Sequence, residues 1–346
     1  MLLPRDMPPA LPSNVPADIA HAFEVGNVPE GITPEFLMES RDGPTKAAIY
    51  FLFFLTMAFM LGRCYSRIFV VRKFGLDDWL ACVTFIVYIP VLAFCIISID
   101  NGSGRRSAYV HYVMSLDNDR ANRAELDDLI LHFLYTIALF TCRLSGLAFY
   151  TRLSQAHDHL FRAIKICAGL FLAVFIVQFC LLLFHCLPVT GIWPYSWQPD
   201  YHKYRCITWG AVYITNSALS FLCDVIMFVI PSMLIHLLHV PLKRKLGLAM
   251  VMFPGVLVLI ISIIRIWLVC LGQWSTDNTW LYDPQLAIEM AEIGSTLIAL
   301  SIPALKPLFG FYVMTKIRSS SSDNRHDRHD RHDRRATFSN PPIRLS

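Results

Sequence analysis

Six polar side chains interrupt long apolar runs of this sequence at comparable depths: His132, Tyr135, Gln178, Arg265, Glu289 and Glu292. Ionisable groups are costly inside hydrocarbon, so those that occur there mark structural pairs or functional positions. Glu289 and Glu292 are three residues apart, one helical turn, and so share a face. With His132 they are candidate acid–base groups, since two carboxylates and an imidazole can trade protons with a bound substrate. With Tyr135, Gln178 and Arg265, the same two glutamates are candidates for a ligand pocket toward one end of a helix bundle. The plain alternative is a structural ion pair between Arg265 and a glutamate, and residue types and spacing leave both open.

A second constellation lies deeper. Arg143 is about sixteen residues into its apolar run and Asp224 about fifteen into another, counted from the same side, so at 1.5 Å per residue the two are level and can pair. Asn216, Ser220 and Asp224 follow at i, i+4, i+8 and form one polar stripe. Asp77 and Asp78 open a further run, where one can cap the helix and the other can meet Arg63 or Arg67. A retinal chromophore needs a mid-helix lysine. Lys306 is displaced toward one end between Pro303 and Pro307, so no chromophore is expected. No cysteine–histidine cluster has zinc spacing, and His326, His329 and His332 sit in an Arg-His-Asp repeat read as a solvated tail, so neither metal nor cofactor is expected.

The elements that position these groups follow from composition. Of 346 residues, 55% are hydrophobic and 16% charged, too few charges to clothe a soluble domain of this length. The apolar residues are grouped into seven runs, about 47–70, 78–98, 127–149, 162–187, 209–236, 246–272 and 285–313, each long enough to cross a hydrocarbon core of about 30 Å. The fold class is therefore an all-α, seven-helix membrane bundle over 47–313, in the plasma membrane or an endomembrane. Residues 1–46, rich in proline and acids, and 314–346, with the repeat, are expected to be disordered tails. The net charge of +4 resides largely in loops and tail, and a nucleic-acid role is not expected.

Loop charges orient the bundle. Seven acidic residues precede the first run, whereas Arg72 and Lys73, Arg152 and Arg162, Lys243 to Lys245, and Lys316 and Arg318 follow alternate runs. The positive-inside rule then puts the N-terminus outside and the C-terminus in the cytosol. Cys186 and Cys206 bracket a loop on the outside, where a disulfide is permitted and would contribute roughly 3 kcal/mol in the chain-entropy model. Asn101-Gly-Ser is a glycosylation sequon on the same side.

Seven segments in order give the chain a family resemblance: GRCYSR (62–67), GLDDWL (75–80), CRLSGLAFYTRL (142–153), FHCLP (184–188), NSALSFLCDVIMFVIP (216–231), KRKLGLAMVMFPGVLVLIISIIR (243–265) and IPALKPLFG (302–310). Together they resemble the fungal rhodopsin-like integral membrane family, which includes Pth-type receptor-like proteins and proteins of satratoxin-type toxin clusters. Asp77 and Asp78 match that family's paired-aspartate signature. Arg143 stands where the family usually has lysine, and residues 1–46 hold no cysteine, unlike the cysteine-rich module many Pth-type receptors carry. The resemblance implies a receptor-like protein of filamentous fungi that senses a small molecule among membrane lipid and meets a heterotrimeric G protein. The alternative it implies is a membrane enzyme or accessory protein of secondary-metabolite biosynthesis.

Overall fold

The computed structural model describes residues 15–153, 158–190, 193–194, 197–198, 201–237, 242–275, 277 and 279–308, with the backbone alone at 153, 234–237 and 242–253. Seven helices are long and apolar enough to cross a membrane. They are α3 (Asp42–Tyr65), α4 (Leu76–Asp100), α6 (Asn118–Leu153), α7 (Asp158–Leu183), α8 (Trp209–Leu237), α9 (Leu242–Trp274) and α10 (Thr279–Leu308). Large apolar side chains such as Leu76, Ile86, Ile166 and Trp267 stay exposed on their outward faces. In water such a surface would drive association; here it is the face offered to lipid. The protein is a multi-pass membrane protein.

α6 and α10 are the most enclosed helices. One core joins α3, α4, α6 and α10 through Met60, Tyr88, Leu139 and Leu297, and a second joins α6, α7 and α8 through Tyr150, Phe171 and Cys223. Gly294 lets α10 approach its neighbours closely: a Cβ there would lie 2.6 Å from Thr56 Oγ1 and 3.1 Å from Tyr88 Oη. Small residues at such contacts are how membrane helices bring their backbones together.

α6 is longer at both ends than the expected 127–149 run. Its 36 residues span about 54 Å, well beyond a hydrocarbon core of about 30 Å. Residues 118–126, assigned to a loop because Asp119, Arg120, Arg123 and Glu125 lower its hydropathy, belong to the helix, and Asp119 in the first turn complements its dipole. α6 therefore projects from the bundle at the end that carries the disulfide, where Cys186 and Cys206 are bonded and pair in a two-stranded ribbon, β1 (Cys186–Leu187) and β2 (Arg205–Cys206).

The expectation of a disordered 1–46 is corrected from residue 17 onward. Ala17–Glu24 (α1) and Pro34–Met38 (α2) are helical and pack Ile19, Ala22 and Leu37 against Tyr109 and Val113, on or just after α5 (Ser107–Tyr112). Thr33 caps α2 by accepting from Phe36 N at 3.3 Å, and Pro34 supplies the fixed φ of a first helical turn. Proline content suggested disorder; buried apolar contact with a loop distant in sequence overrides it. Residues 1–14 and 309–346, including the Arg-His-Asp repeat, lie outside the described residues.

Asp18 ties this cap down. Tyr109 donates to its Oδ2 at 2.5 Å and Arg120 at 3.1 Å. Burial pushes the Asp18 carboxyl up, but hydrogen bonds from Tyr109, Arg120 and the Ile19 amide outweigh it and hold it below the usual carboxylate range. Burial, then the hydrogen bond to Asp18, pushes the Tyr109 phenol up to about 12. A depressed carboxyl lends stability above about pH 4 that is lost as pH falls; a raised phenol lends stability below about pH 10 that is lost as pH climbs toward 12. Thiol labelling of Ala22→Cys, at a fully buried position and measured relative to the unfolded chain at the same pH, should thus be slow from about pH 4 to 10 and accelerate outside that window. Equal relative rates at pH 3.5 and pH 7 in an otherwise folded protein would refute the Asp18 anchor.

Candidate functional site

Four polar layers follow one another along α6, beginning at its projecting end. Glu125 and Asp128, one turn apart, face a cavity of about 340 Å³ that Trp193, Trp209 and Tyr282 also line. Below it, Tyr213 donates to Asp128 Oδ2 at 2.7 Å, and its ring meets that of His132 edge to face at 4.5 Å. His132 Nδ1 lies 2.9 Å from the Asp128 carbonyl and 3.2 Å from Asp128 Oδ1, which assigns its proton to Nδ1. On the other side of the ring, Nε2 approaches Glu289 Oε1 at 3.5 Å, and Gln285 donates to that same oxygen at 3.3 Å.

The third layer is fully enclosed. Glu292, wholly buried, accepts from Tyr135 at 2.5 Å and from Arg265 Nη1 at 2.6 Å. Arg265 also donates to the Ser217 carbonyl, and its guanidinium lies over the Tyr135 ring at 5.4 Å. Arg143 stands 3.9 Å from the other Glu292 oxygen and donates from Nε to Asp224 Oδ1 at 3.0 Å. Ser262 donates to Asp224 Oδ2 at 2.7 Å. Two arginines and two carboxylates thus balance one another across α6, α8, α9 and α10. Fixed in this way, opposite charges are tolerated where single ones are not.

The fourth layer lies at the far end. Asp77 and Asp78, both buried, face three arginines: Arg63 reaches them at 3.2 and 3.0 Å, Arg67 at 3.6 and 3.2 Å, and Arg152 reaches Asp77 at 3.1 Å. Arg63 also donates to the Leu300 carbonyl, and Ser145 to that of Asp77. Asp78 Oδ2 meanwhile accepts from the Gly75 amide at 3.0 Å, the one half of a capping box open to a glycine N-cap, at the start of α4. The aspartate pair is therefore both a cap and the acidic half of a cluster linking α3, α4, α6 and α10.

The acid–base, pocket and ion-pair candidates singled out in the sequence lie along these layers, but the larger cavity lies elsewhere than expected. Tyr135, Gln178, Arg265 and Glu289 surround a space of about 20 Å³, room for one water and far too small for an organic ligand. Gln178 is spent on the Asn216 carbonyl and Ser220 Oγ, at 2.9 and 3.3 Å. Glu292 is sealed beneath them. Paired charges collapse onto each other and fill the volume that their polarity suggested was open. The ligand-sized cavity is further out, on Glu125 and Asp128. The signal for it was there, since Glu125, Asp128 and His132 follow at i, i+3, i+7 on one face of α6.

Asn101, at the C-terminal cap of α4, is half-buried and donates from Nδ2, the nitrogen a glycan would occupy, to Asp127 at 3.2 Å. Lys306 is exposed near the end of α10, far along that helix from the outer cavity. Among the described residues no group of three or more histidine, cysteine, aspartate or glutamate side chains could hold a metal ion.

Comparison with known proteins agrees with this architecture. Residues 62–311 match the Fungal rhodopsin domain family, a stretch that runs from GRCYSR through α10. A SAT4 family membrane protein of Emericella nidulans is 24% identical over 200 residues, covering 56% of this chain and 49% of that protein. The chain thus aligns with about half the length of that relative. No solved structure matches. With the match extending over most of its length and seven spans in place, the chain belongs to the fungal rhodopsin domain family.

Proposed function

We propose that the protein is a receptor-like sensor of a small molecule, with the disulfide-bearing end outside and the Asp77–Asp78 end in the cytosol. The observation that carries this reading is the cavity of about 340 Å³, a size at the lower end of ligand pockets, joined by buried hydrogen bonds and ion pairs to the bundle interior. A ligand contacting Asp128 acts directly on Tyr213 and His132, and through His132 on α10. The exposed basic residues at the opposite end, Arg72, Lys73, Arg152, Arg162 and Lys165, favour a cytosolic face and suit a negatively charged partner surface such as that of a G protein.

One observation favours a second reading, a membrane enzyme or accessory protein of a biosynthetic cluster. His132 and Glu289 approach each other at 3.5 Å beside a small polar space, the arrangement of an acid–base pair. The receptor reading ranks first because that space admits no substrate.

A deletion strain separates the two. Complemented with wild type, Trp209→Leu or His132→Asn, it would be profiled for metabolites and for surface-triggered development. A sensor predicts an unchanged metabolite profile in every strain and a response restored by wild type but not by Trp209→Leu. A missing compound with an accumulating precursor, restored by wild type and not by His132→Asn, would replace the sensor with the enzyme.

A further inference from the structure

We infer that the outer cavity binds an uncharged ligand, an aromatic or apolar body that carries a hydroxyl or carbonyl oxygen. This rests on the reading of that cavity as the ligand site. The charges on its wall are already matched within the protein: Asp128 accepts from Tyr213 and meets His132 Nδ1 at 3.2 Å, and Glu125 has a partner of its own. The described lining residues include neither lysine, arginine nor histidine. A cationic ligand would have to draw a carboxylate away from its present partner. An anionic one would lie beside two carboxylates with no cation to receive it. Either brings a charge out of water without a free counter-charge, which is costly. A neutral ligand avoids that cost.

What the wall leaves open is neutral polarity. Ser98, 2% exposed in the last turn of α4, has its Oγ buried at the cavity without a hydrogen-bond partner. Ser103 Oγ, in the turn after α4, and Tyr282 Oη, at the start of α10, belong to the same lining and are likewise buried without one. A buried hydroxyl left unpaired is destabilising and uncommon, so three on one cavity form a set. Each can donate and accept, which matches an alcohol or carbonyl oxygen and requires no charge. Other polar groups of this rim are engaged: Thr279 donates to the Arg105 carbonyl at 2.8 Å and Trp193 Nε1 to that of Ile207 at 3.1 Å. The rings define the rest of the ligand. Trp193 stacks on His185 at 3.7 Å between ring centres and Trp209 packs on Tyr213 at 4.7 Å, so both indoles are held in place by the protein itself. A preformed aromatic wall with a few polar groups suits a flat apolar body and spares the cost of ordering the site.

The test uses the full chain in lipid nanodiscs and five probes with one naphthylethyl body, ending in an alcohol, a methyl ketone, a methyl group, a primary ammonium or a carboxylate. Binding to empty nanodiscs is subtracted. The alcohol and the ketone should bind about fivefold or more tighter than the methyl probe and than either charged probe. The variant Ser98→Ala, Ser103→Ala, Tyr282→Phe lacks all three hydroxyls and should bring the alcohol to within about twofold of the methyl probe, whose own affinity stays unchanged. Because these hydroxyls have no partner in the protein, the thermal midpoint should not fall, and that separates lost binding from lost fold. Ser98→Ala alone is the second variant and should lower the alcohol-to-methyl ratio in the same direction. A methyl probe as tight as the alcohol, a charged probe tighter than both oxygen-bearing neutral ones, a ratio unchanged in both variants, or no binding by any probe overturns the inference. The sensor reading is judged apart from this, by the deletion strain. A wild-type protein that restores the response yet ignores the alcohol and ketone keeps its receptor role and loses this ligand class; one that binds them without restoring a response keeps the ligand class and loses the role.

Discussion

Glu292→Gln is expected to cost the protein about 3–5 kcal/mol, the range for removing one partner of a buried ion pair. The substitution conserves shape but leaves Arg265 and Arg143 facing a single carboxylate, Asp224, with Arg265 2% exposed and unable to reach water. Thermal unfolding in detergent should show a large fall in the midpoint. The decisive comparison is the double variant Glu292→Gln, Arg265→Met, in which neither charge remains. Replacing both members of a buried pair by neutral groups is often nearly neutral, so the double variant should recover much of what the single one loses. A loss below about 1 kcal/mol for Glu292→Gln alone, or a double variant no better than the single, would show that the pair does not hold the bundle together. The deeper pair has its own check: reversing both Arg143 and Asp224 should restore part of the expression lost on reversing either.

The second large effect is expected at the other end. Asp77→Asn leaves three guanidiniums with one carboxylate, and should abolish accumulation of folded protein or cost about 3–5 kcal/mol. The three arginines are not equivalent, and that makes the claim specific. Arg63, with a side chain 2% exposed, bridges both aspartates and the Leu300 carbonyl, so Arg63→Gln should be about as damaging. Arg152, 37% exposed, can hydrate on its own, so Arg152→Gln should cost less than about 1 kcal/mol. Measured by the fraction of protein surviving size-exclusion chromatography after heating, equal losses for Arg63→Gln and Arg152→Gln would contradict the burial argument.

The seven spans were legible because a bilayer imposes one length and one composition on every crossing helix. The level of Arg143 and Asp224 followed from residue counting alone, since helical rise is nearly constant. Three features were not legible, for different reasons. Charges at the start of α6 looked like a loop because hydropathy scores the side chain and ignores its place in the helix. Residues 17–38 looked disordered because their partners, Tyr109 and Val113, come about 70 residues or more later in the chain. The outer cavity is assembled from α4, α6, α8, α9, α10 and the loop of Trp193, so no single window contains it. The polar side chains that drew attention in the sequence are those that fill space, and the ligand-sized void lies at the ends of several runs and the loops between them.

α6 meets all four polar layers, through Glu125, Asp128, His132, Tyr135, Arg143 and Arg152, and no proline interrupts it. Four of the helices around it carry prolines: α4 has Pro90, α8 Pro231, α9 Pro254, and α10 Pro303 and Pro307, whereas α7 has none. Each proline removes a backbone hydrogen bond and makes a local point of bending. Mechanically, α6 is a mast and its neighbours are jointed spars. In the proposed sensor, a push delivered at the outer cavity would travel down the mast and be spent in the joints of those four helices.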